Sequence, residues 1–353
     1  MDFDLSFYKG KRVLITGHTG FKGTWLCKML EGAGAEIIGY SRCSEKEISL
    51  FSLIGMGQRI THVKGDVRDL EQLDQVFIDY CPEIVIHMAA QPLVRESYLN
   101  PVETYGTNVM GTVNILECAR KTASVRSFLN VTTDKVYKNR EMERGYREDE
   151  ELDGYDPYSN SKSCSELVTA SYKRSFFQDA ACAISTARAG NVIGGGDFAK
   201  DRIIPDCVRA AMNGVDIVVR NPCSVRPFQH VLEPLYAYLM IAAEQFCDPS
   251  MAGNYNVGPE LKDCLKTGEL VDLFVKYWGG DLRWIDRSDN GPHEATFLKL
   301  DCTKLKDRFG WMPRWDIEKA VEKTVEWSKC WMSGGDVNSC MDRQIEDFLA
   351  DGD

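Results

Sequence analysis

Paired cysteines and long apolar runs are both missing from this sequence. Its 13 cysteines are scattered singly, without C-x-x-C or Cys/His spacing, so neither a structural metal nor a disulfide framework is expected. No apolar run approaches the ~20 residues of a membrane-spanning helix. The acidic start, MDFDLSFYKG, also lacks the basic and apolar regions of a signal peptide. We therefore expect a cytoplasmic protein with reduced thiols and no membrane partner.

Positive charge is scarce as well. Lys and Arg together number 42 against 53 for Asp and Glu, and the formal net charge is −11. Proteins bind nucleic acid through clustered basic side chains, so a nucleic-acid partner is not expected. An anionic small molecule would instead have to meet a local positive site within an acidic surface.

The first half of the sequence does show a regular alternation of strand-like and helix-like segments. Apolar runs such as RVLITG, EIIGYS, EIVIHMAA and SFLNVTT are separated by segments with helical spacing. This order predicts an α/β fold, a Rossmann-type doubly wound parallel sheet, over residues 1–187. The looser pattern that follows predicts a smaller mixed α/β domain over residues 188–353, partly interleaved with the first. The acidic end, MDRQIEDFLADGD, is expected to form an exposed tail or a short helix.

A glycine-rich stretch, GHTGFKG, joins the first predicted strand to the first predicted helix. Gly17, Gly20 and Gly23 would let backbone N–H groups approach a diphosphate, and the helix N-terminus adds a partial positive charge. The position of the stretch favours a dinucleotide-binding loop over a simple tight turn. His18 and Lys22 are either further contacts to phosphate or ribose, or surface side chains without a role.

The segment expected to hold the adenosine leaves the choice of cofactor open. An acid at the end of the second strand would bind the ribose 2′-hydroxyl and select NAD, but this sequence has Ser41 and Arg42 there. Taken alone, Arg42 favours NADP, because a guanidinium suits a 2′-phosphate. Asp66, after the third strand, could bind the adenosine or cap the helix that follows.

A tyrosine and a lysine, Tyr158 and Lys162, lie four residues apart in YSNSK and therefore on one face of a helix. The neighbouring ammonium group is expected to lower the pKa of the phenol, and the same lysine can hydrogen-bond the nicotinamide ribose. Thr133, at the end of a predicted strand, would complete a triad that polarises a sugar hydroxyl while hydride leaves its carbon. The sequence thus predicts a dehydrogenase-type reaction centre.

These motifs together resemble those of extended short-chain dehydrogenases/reductases that act on nucleotide sugars. GHTGFKG, HMAAQPLV, TTDK and YSNSK carry the resemblance, and RAGNVIGGGD, RPFQHVLEPL and HEATFLKLD extend it over nearly the whole chain. The later segments look most like those of the 4,6-dehydratases of CDP-glucose. The resemblance implies NAD as cofactor, with NADP left open, and a nucleotide-diphosphate sugar such as CDP-glucose as substrate. It also implies a homodimer or homotetramer formed through long helices of the Rossmann domain.

The resemblance assigns a redox-neutral dehydration, in which C4 is oxidised, water leaves across C5 and C6, and the hydride returns to C6. Asp134 occupies the position of the family's acid for the C6 hydroxyl, or it merely forms a turn. Related dehydratases place a glutamate base next, where this chain has Lys135. Lys135 could take the C5 proton as a neutral amine, stabilise the enolate as a cation, or be a solvated charge.

For the substrate, the resemblance points to Asn191 and Arg226 as diphosphate contacts. Arg202 is a further candidate that could equally form a structural salt bridge. His230 and His293 are expected to be structural, and no metal site is expected. The residues implied for the dinucleotide are Gly17, His18, Thr19, Gly20, Phe21, Lys22, Gly23, Ser41, Arg42, Asp66, Val67, Ala89, Ala90, Gln91, Thr107, Tyr158 and Lys162.

Two other functions compete with dehydration. A nucleotide-sugar 4-epimerase or dehydrogenase of the same fold needs no acid at C6, so Asp134 and Lys135 argue against it. A non-catalytic dinucleotide sensor would be expected to have lost at least one residue of the triad, and Thr133, Tyr158 and Lys162 are all present.

Overall fold

The main sheet has seven parallel strands. The computed structural model describes residues 3–42, 48–178, 181–287 and 297–351. Its strands are β1 (Arg12–Thr16), β2 (Glu36–Ser41), β3 (Thr61–Lys64), β4 (Ile84–His87), β5 (Ser127–Val131), β6 (Ala183–Ala189), β7 (Val192–Ile193), β8 (Ile217–Val219), β9 (Val225–Arg226), β10 (Gln229–His230), β11 (Asn254–Val257), β12 (Leu265–Lys266) and β13 (Trp284–Asp286). The sheet order is β3-β2-β1-β4-β5-β6-β11, with every pair parallel. The predicted doubly wound parallel sheet is confirmed.

Helices cover both faces of this sheet. They are α1 (Phe21–Gly32), α2 (Leu50–Leu53), α3 (Leu70–Tyr80), α4 (Val94–Leu99), α5 (Pro101–Tyr105), α6 (Gly111–Lys121), α7 (Pro157–Phe176), α8 (Ile203–Asn213), α9 (Leu232–Cys247), α10 (Thr267–Trp278), α11 (Thr303–Phe309), α12 (Ile317–Met332) and α13 (Val337–Ala350). Alternate residues of β1 face opposite sides, with Val13 and Ile15 in the core beneath α1 and α9 and Leu14 in the core beneath α3 and α6. Both faces are therefore buried, as a parallel sheet requires.

The chain beyond β6 builds a smaller unit and then returns to the main sheet. β7 pairs with β10, β9 with β12, and β8 with β13, while α8, α10 and α12 enclose a separate apolar core. β11 nevertheless pairs with β6, and α9 lies across β5 and β6. The domain division at residue 187, which falls inside β6, stays a prediction.

The acidic C-terminal segment is a helix with a buried face. α13 begins after Asp336, whose carboxylate accepts hydrogen bonds from the backbone N–H groups of Asn338 and Ser339. Met341 and Phe348 on this helix are fully buried. The expected tail or short helix is therefore the end of a 14-residue amphipathic helix that completes the core.

Some features are absent from the described ranges. No helix there is long and apolar enough to cross a membrane. The cysteines in the same ranges are unpaired, and no three potential metal ligands converge among those residues.

Candidate active site

A cavity of about 970 Å³ runs along the edge of the main sheet at which the parallel strands end. The strand register aligns Thr16, His87 and Asn130, so the residues that follow them meet at this edge. The loops after β1, β4, β5 and β6 line one side of the cavity, and α8 and β8 line the other. Open parallel sheets bind ligands at this edge, and the volume lies at the upper end of the ~300–1,000 Å³ typical of small-molecule sites.

The loop between β1 and α1 has the geometry of a phosphate cradle. Gly17 has a φ of +76°, and a Cβ there would lie 2.8 Å from the Ala89 nitrogen. A Cβ at Gly23 would collide with the Gly17 carbonyl, so glycine lets the first turn of α1 lie against the loop. Gly20 caps α1, and all three glycines line the cavity. The helix N-terminus therefore opens toward the cavity, which fits a diphosphate.

The other residues expected at the dinucleotide divide into two groups. Three of them, His18, Gln91 and Lys162, do not line the cavity in the described part of the chain. His18 is fully buried, with Nε2 2.7 Å from Nδ1 of His62, and burial lowers the pKa of its imidazole to about 3. The Gln91 amide donates to Thr104 Oγ1 at 2.9 Å. These two side chains brace loops, unlike the contacts expected of them. Those that line the cavity are Thr19, Phe21, Lys22, Ser41, Arg42, Asp66, Val67, Ala89, Ala90, Thr107 and Tyr158.

At the adenosine end, Arg42 is already engaged by acidic side chains. Its guanidinium lies 2.8 Å from the Glu103 carboxylate and 3.9 Å from that of Asp66. Arg68 also binds Asp66 at 2.6 Å, and this hydrogen bond lowers the pKa of the Asp66 carboxyl. A 2′-phosphate beside Arg42 would therefore meet two carboxylates as well as one guanidinium.

The oxidation triad comes together at the ends of β5 and α7. Asp156 caps α7, which places Tyr158 and Lys162 in its first turns. The Thr133 hydroxyl lies close enough to the Tyr158 phenol to lower its pKa, and Lys162 Nζ donates to the Val131 carbonyl at 3.1 Å. Burial raises the pKa of Tyr158 to about 12 and lowers that of Lys162 to about 8. The structure thus differs from the expected lowering of the Tyr158 pKa.

Asp134 and Lys135 follow the triad threonine in a short 3-10 turn, residues Asp134–Val136. Thr133 Oγ1 donates to Asp134 Oδ1 at 2.9 Å, and Lys135 Nζ lies 3.8 Å from the same oxygen. Asp134 Oδ2 is buried, and no donor among the described residues reaches it. Lys135 lines the cavity with 30% of its side chain exposed. The turn therefore places a buried acid and a half-buried cation beside Tyr158.

The predicted substrate contacts all belong to the chain after β6. Asn191, Arg202 and Arg226 line the cavity, and Arg202 also forms a 2.8 Å ion pair with Asp197. His230 is fully buried, its ring centroid 4.9 Å from that of Trp315, and burial lowers its pKa to about 3. This environment is that of a structural histidine. His293 lies outside the described residues.

Several residues near the site were not expected from the sequence. Glu166 and Arg188 form a buried ion pair of 2.8 Å behind the triad, and Thr132 Oγ1 donates to Glu166 at 2.5 Å. Glu166 follows Lys162 by one helical turn, a spacing that could have identified it. Tyr238, on α9, lies close enough to Tyr158 and Asp134 for both to affect its pKa. It has no local sequence signal, because it belongs to an apolar helix.

The sequence of this chain is similar to those of known nucleotide-sugar 4,6-dehydratases. The family model described as GDP-mannose 4,6 dehydratase matches residues 14–324. A CDP-glucose 4,6-dehydratase of Salmonella typhimurium is 45% identical over 353 residues, covering 98% of each chain.

Solved structures show the same fold at lower identity. A dTDP-glucose 4,6-dehydratase from Bacillus anthracis, in complex with NAD, superimposes with a TM-score of 0.76 at 22% identity, covering 91% of this chain and 97% of that one. A UDP-glucose 4-epimerase from Thermotoga maritima, with UDP-glucose, gives a TM-score of 0.80 at 21% identity, with coverages of 91% and 99%. The family model and the 45% identical relative go further than the fold, and the chain belongs to the GDP-mannose 4,6 dehydratase family.

Proposed function

We propose that this protein uses NAD to dehydrate CDP-D-glucose to CDP-4-keto-6-deoxy-D-glucose. The observation that carries the proposal is Asp134, a buried carboxyl group hydrogen-bonded to the triad threonine at 2.9 Å. An epimerase of the same fold needs no acid at that point. The 45% identical relative, a CDP-glucose 4,6-dehydratase, supports cytidine as the nucleoside.

Each residue of the site has a distinct task in this reaction. NAD, when bound, would supply the means to take hydride from C4 and return it to C6. Tyr158, with Thr133, accepts the proton of the C4 hydroxyl, and Lys162 orients the ribose of the cofactor. Asp134 then gives a proton to the C6 hydroxyl as it leaves as water. Lys135 acts at C5, either as the base or as the cation that stabilises the enolate.

The adjacency of these residues offers a route for the proton. Thr133 lies next to the Tyr158 phenol, and Thr133 Oγ1 donates to Asp134 Oδ1. The proton removed from the C4 hydroxyl by Tyr158 can therefore pass through Thr133 to Asp134. It then leaves in the water formed at C6, and the oxidation base and the elimination acid are both restored. This balance suits a reaction that is redox-neutral and consumes no proton.

The surroundings of Arg42 support NAD over NADP. Its guanidinium is engaged by Glu103 at 2.8 Å and lies 3.9 Å from Asp66. These carboxylates would repel a 2′-phosphate, whereas they can accept hydrogen bonds from a ribose hydroxyl.

The mass of the product tests this function. The protein is incubated with CDP-glucose and a catalytic amount of NAD, with NADP, UDP-glucose and dTDP-glucose in parallel reactions. We expect a CDP-sugar lighter by one water, without net reduction of the cofactor, and no such product from Asp134→Asn. An unchanged mass with altered stereochemistry would indicate an epimerase, and no turnover of any nucleotide sugar would exclude the enzyme activity.

We also infer that the protein forms a homodimer, or a tetramer of two such dimers, through α4, α5 and α7. A π-helical segment, Gly106–Met110, joins α5 to α6 and packs beside α7. Large apolar side chains on these adjoining segments are exposed, namely Leu99, Val102, Met110 and Leu167. Such a surface is typical of an interface between subunits.

A further inference from the structure

Lys22 lies in the first turn of α1, directly after the glycine loop, and its side chain reaches the catalytic end of the cavity. Its Nζ lies 3.4 Å from the Tyr238 hydroxyl and 5.5 Å from the centroid of the Tyr238 ring. Tyr238 is fully buried on α9. Lys22 also lines the cavity. The amine is therefore held at a fixed place within the cavity wall.

The charged groups near Lys22 are those of the reaction centre. Lys162 and Arg202 act on it as cations, and Asp134 acts on it as an anion. Besides burial, Tyr158 and Asp134 in turn raise the pKa of Tyr238, the residue that holds Lys22. Arg42 and its carboxylates, at the adenosine end, are not among the charged groups that affect the pKa of Lys22. Lys22 thus lies within electrostatic range of Lys162, the group that is expected to orient the nicotinamide ribose.

A buried amine at this position carries an energetic cost. Burial and the two neighbouring cations lower the pKa of Lys22 to about 7, since nothing in the fold fully compensates an ammonium there. A dinucleotide would bring two phosphate charges to the glycine loop and the N-terminus of α1, beside Lys22. Those charges favour the ammonium form, so binding of the cofactor would leave a cation close to the nicotinamide.

We propose that Lys22, held by Tyr238, tunes the redox balance of the bound cofactor in favour of its reduced form. The nicotinamide ring carries a positive charge only when oxidised, and a fixed cation nearby repels that charge. The effect assists the first step, in which hydride leaves C4 for the nicotinamide and the C4 hydroxyl proton goes to Tyr158. The inference rests on the proposed use of NAD.

A simple contact to the diphosphate makes a different prediction. Oxidised and reduced cofactor carry the same diphosphate, so loss of such a contact would weaken both by the same factor. A purely structural lysine would also affect both alike. The ratio of the two dissociation constants, Kd(NAD)/Kd(NADH), therefore isolates the charge effect.

Equilibrium binding of both cofactor forms to the purified protein tests the proposal. The fluorescence of NADH reports its own binding, and competition reports that of NAD. Lys22→Met is expected to lower Kd(NAD)/Kd(NADH) on the order of tenfold, and Lys22→Arg to preserve it. Tyr238→Phe, which keeps the charge but removes its hydroxyl partner, should lower the ratio less. Lys64→Met, at the adenosine end, is the matched control and should leave the ratio unchanged.

Two results would overturn the inference. If Lys22→Met weakens NAD and NADH equally, or changes neither, Lys22 does not act on the charge of the nicotinamide. Should Lys22→Met fail to fold, an unchanged ratio in Tyr238→Phe has the same meaning. If the unaltered protein binds neither form, the assignment of NAD fails first and this inference falls with it.

Discussion

Lys135 and Lys138 carry the same charge three residues apart but have different surroundings. Lys135 Nζ lies 3.8 Å from Asp134 Oδ1 at the cavity, whereas Lys138 is paired outside it with Glu151 at 3.0 Å. We expect Lys135→Ala to slow elimination by ~10²-fold or more and C4 oxidation by less, because only elimination needs a base or cation at C5. A single turnover, followed by the absorbance of reduced cofactor and by product mass, separates the two steps.

Lys138→Ala is the matched control for this experiment. Its ion pairs are solvent-exposed, so both steps should keep their rates. If Lys135→Ala also leaves both rates unchanged, Lys135 is only a solvated charge and the base at C5 is another group.

At the level of single residues, sequence spacing could identify groups that share a local element. Tyr158 and Lys162 lie on one helix face, and the three glycines lie in one loop, so both sets were predictable. The position of Tyr238 was not, because only the folding of α9 onto the sheet brings it to Asp134. The raised pKa of Tyr158 depends on burial, which spacing does not report.

At the level of elements, contacts along α7 hold the catalytic turn, which is the segment from Thr133 to Val136. Lys162 binds the Val131 carbonyl, Glu166 binds Thr132, and Ser163 Oγ donates to the Val136 carbonyl at 2.7 Å. Arg188, held by Glu166, binds the Tyr137 hydroxyl at 2.8 Å beyond the other end of the turn. The reactive side chains between these points are therefore positioned by a single helix and its buried ion pair.

This arrangement predicts a large stability cost for breaking the Glu166–Arg188 pair. Glu166→Gln leaves a fully buried guanidinium without its counter-charge, and we expect the free energy of unfolding to fall by about 3–5 kcal/mol. Urea denaturation followed by circular dichroism measures the change. Adding Arg188→Met should recover part of the loss.

An exposed pair provides the comparison. Glu117 binds Arg120 at 2.7 Å on the surface of α6, and Glu117→Gln should leave the unfolding midpoint unchanged. A Glu166→Gln protein as stable as the unaltered one would show that the buried pair does not hold the catalytic turn.

α13 illustrates where element prediction was incomplete and why. Its residues 337, 341, 344 and 348 repeat at helical spacing and are buried, but its acidic composition suggested an exposed tail or a short helix. A high content of charged residues does not exclude a buried helix face. One apolar stripe is enough to pack a helix against the core while its charged side chains face solvent. The strands of the main sheet were easier to predict, since burial on both sides makes them continuously apolar.

At the level of the whole molecule, the exposed apolar surface on α4, α5 and α7 predicts self-association. Val102 is 85% exposed and Leu167 is 56% exposed. The double substitution Val102→Glu and Leu167→Glu should convert the proposed dimer to a monomer, because charged groups would be buried at its interface. Sedimentation velocity measures the mass.

Ile78→Glu supplies the control for this substitution. Ile78 is 62% exposed on α3, away from the proposed interface, and the change should leave the mass as it was. A monomeric unaltered protein, or a double variant that stays dimeric, would contradict the assignment of this face.

The position of β11 limits how far the two halves of the molecule can separate. The chain leaves the sheet after β6, contributes Asn191, Arg202 and Arg226 to the cavity, and re-enters the sheet as the neighbouring strand. The segment between them, residues 190–253, is thus tethered at both ends to one hydrogen-bonded strand pair. The rest of the smaller unit, including α10 and α12, follows β11, so detaching the smaller unit would strip a strand from the main sheet. We therefore expect the two halves to unfold in a single cooperative transition.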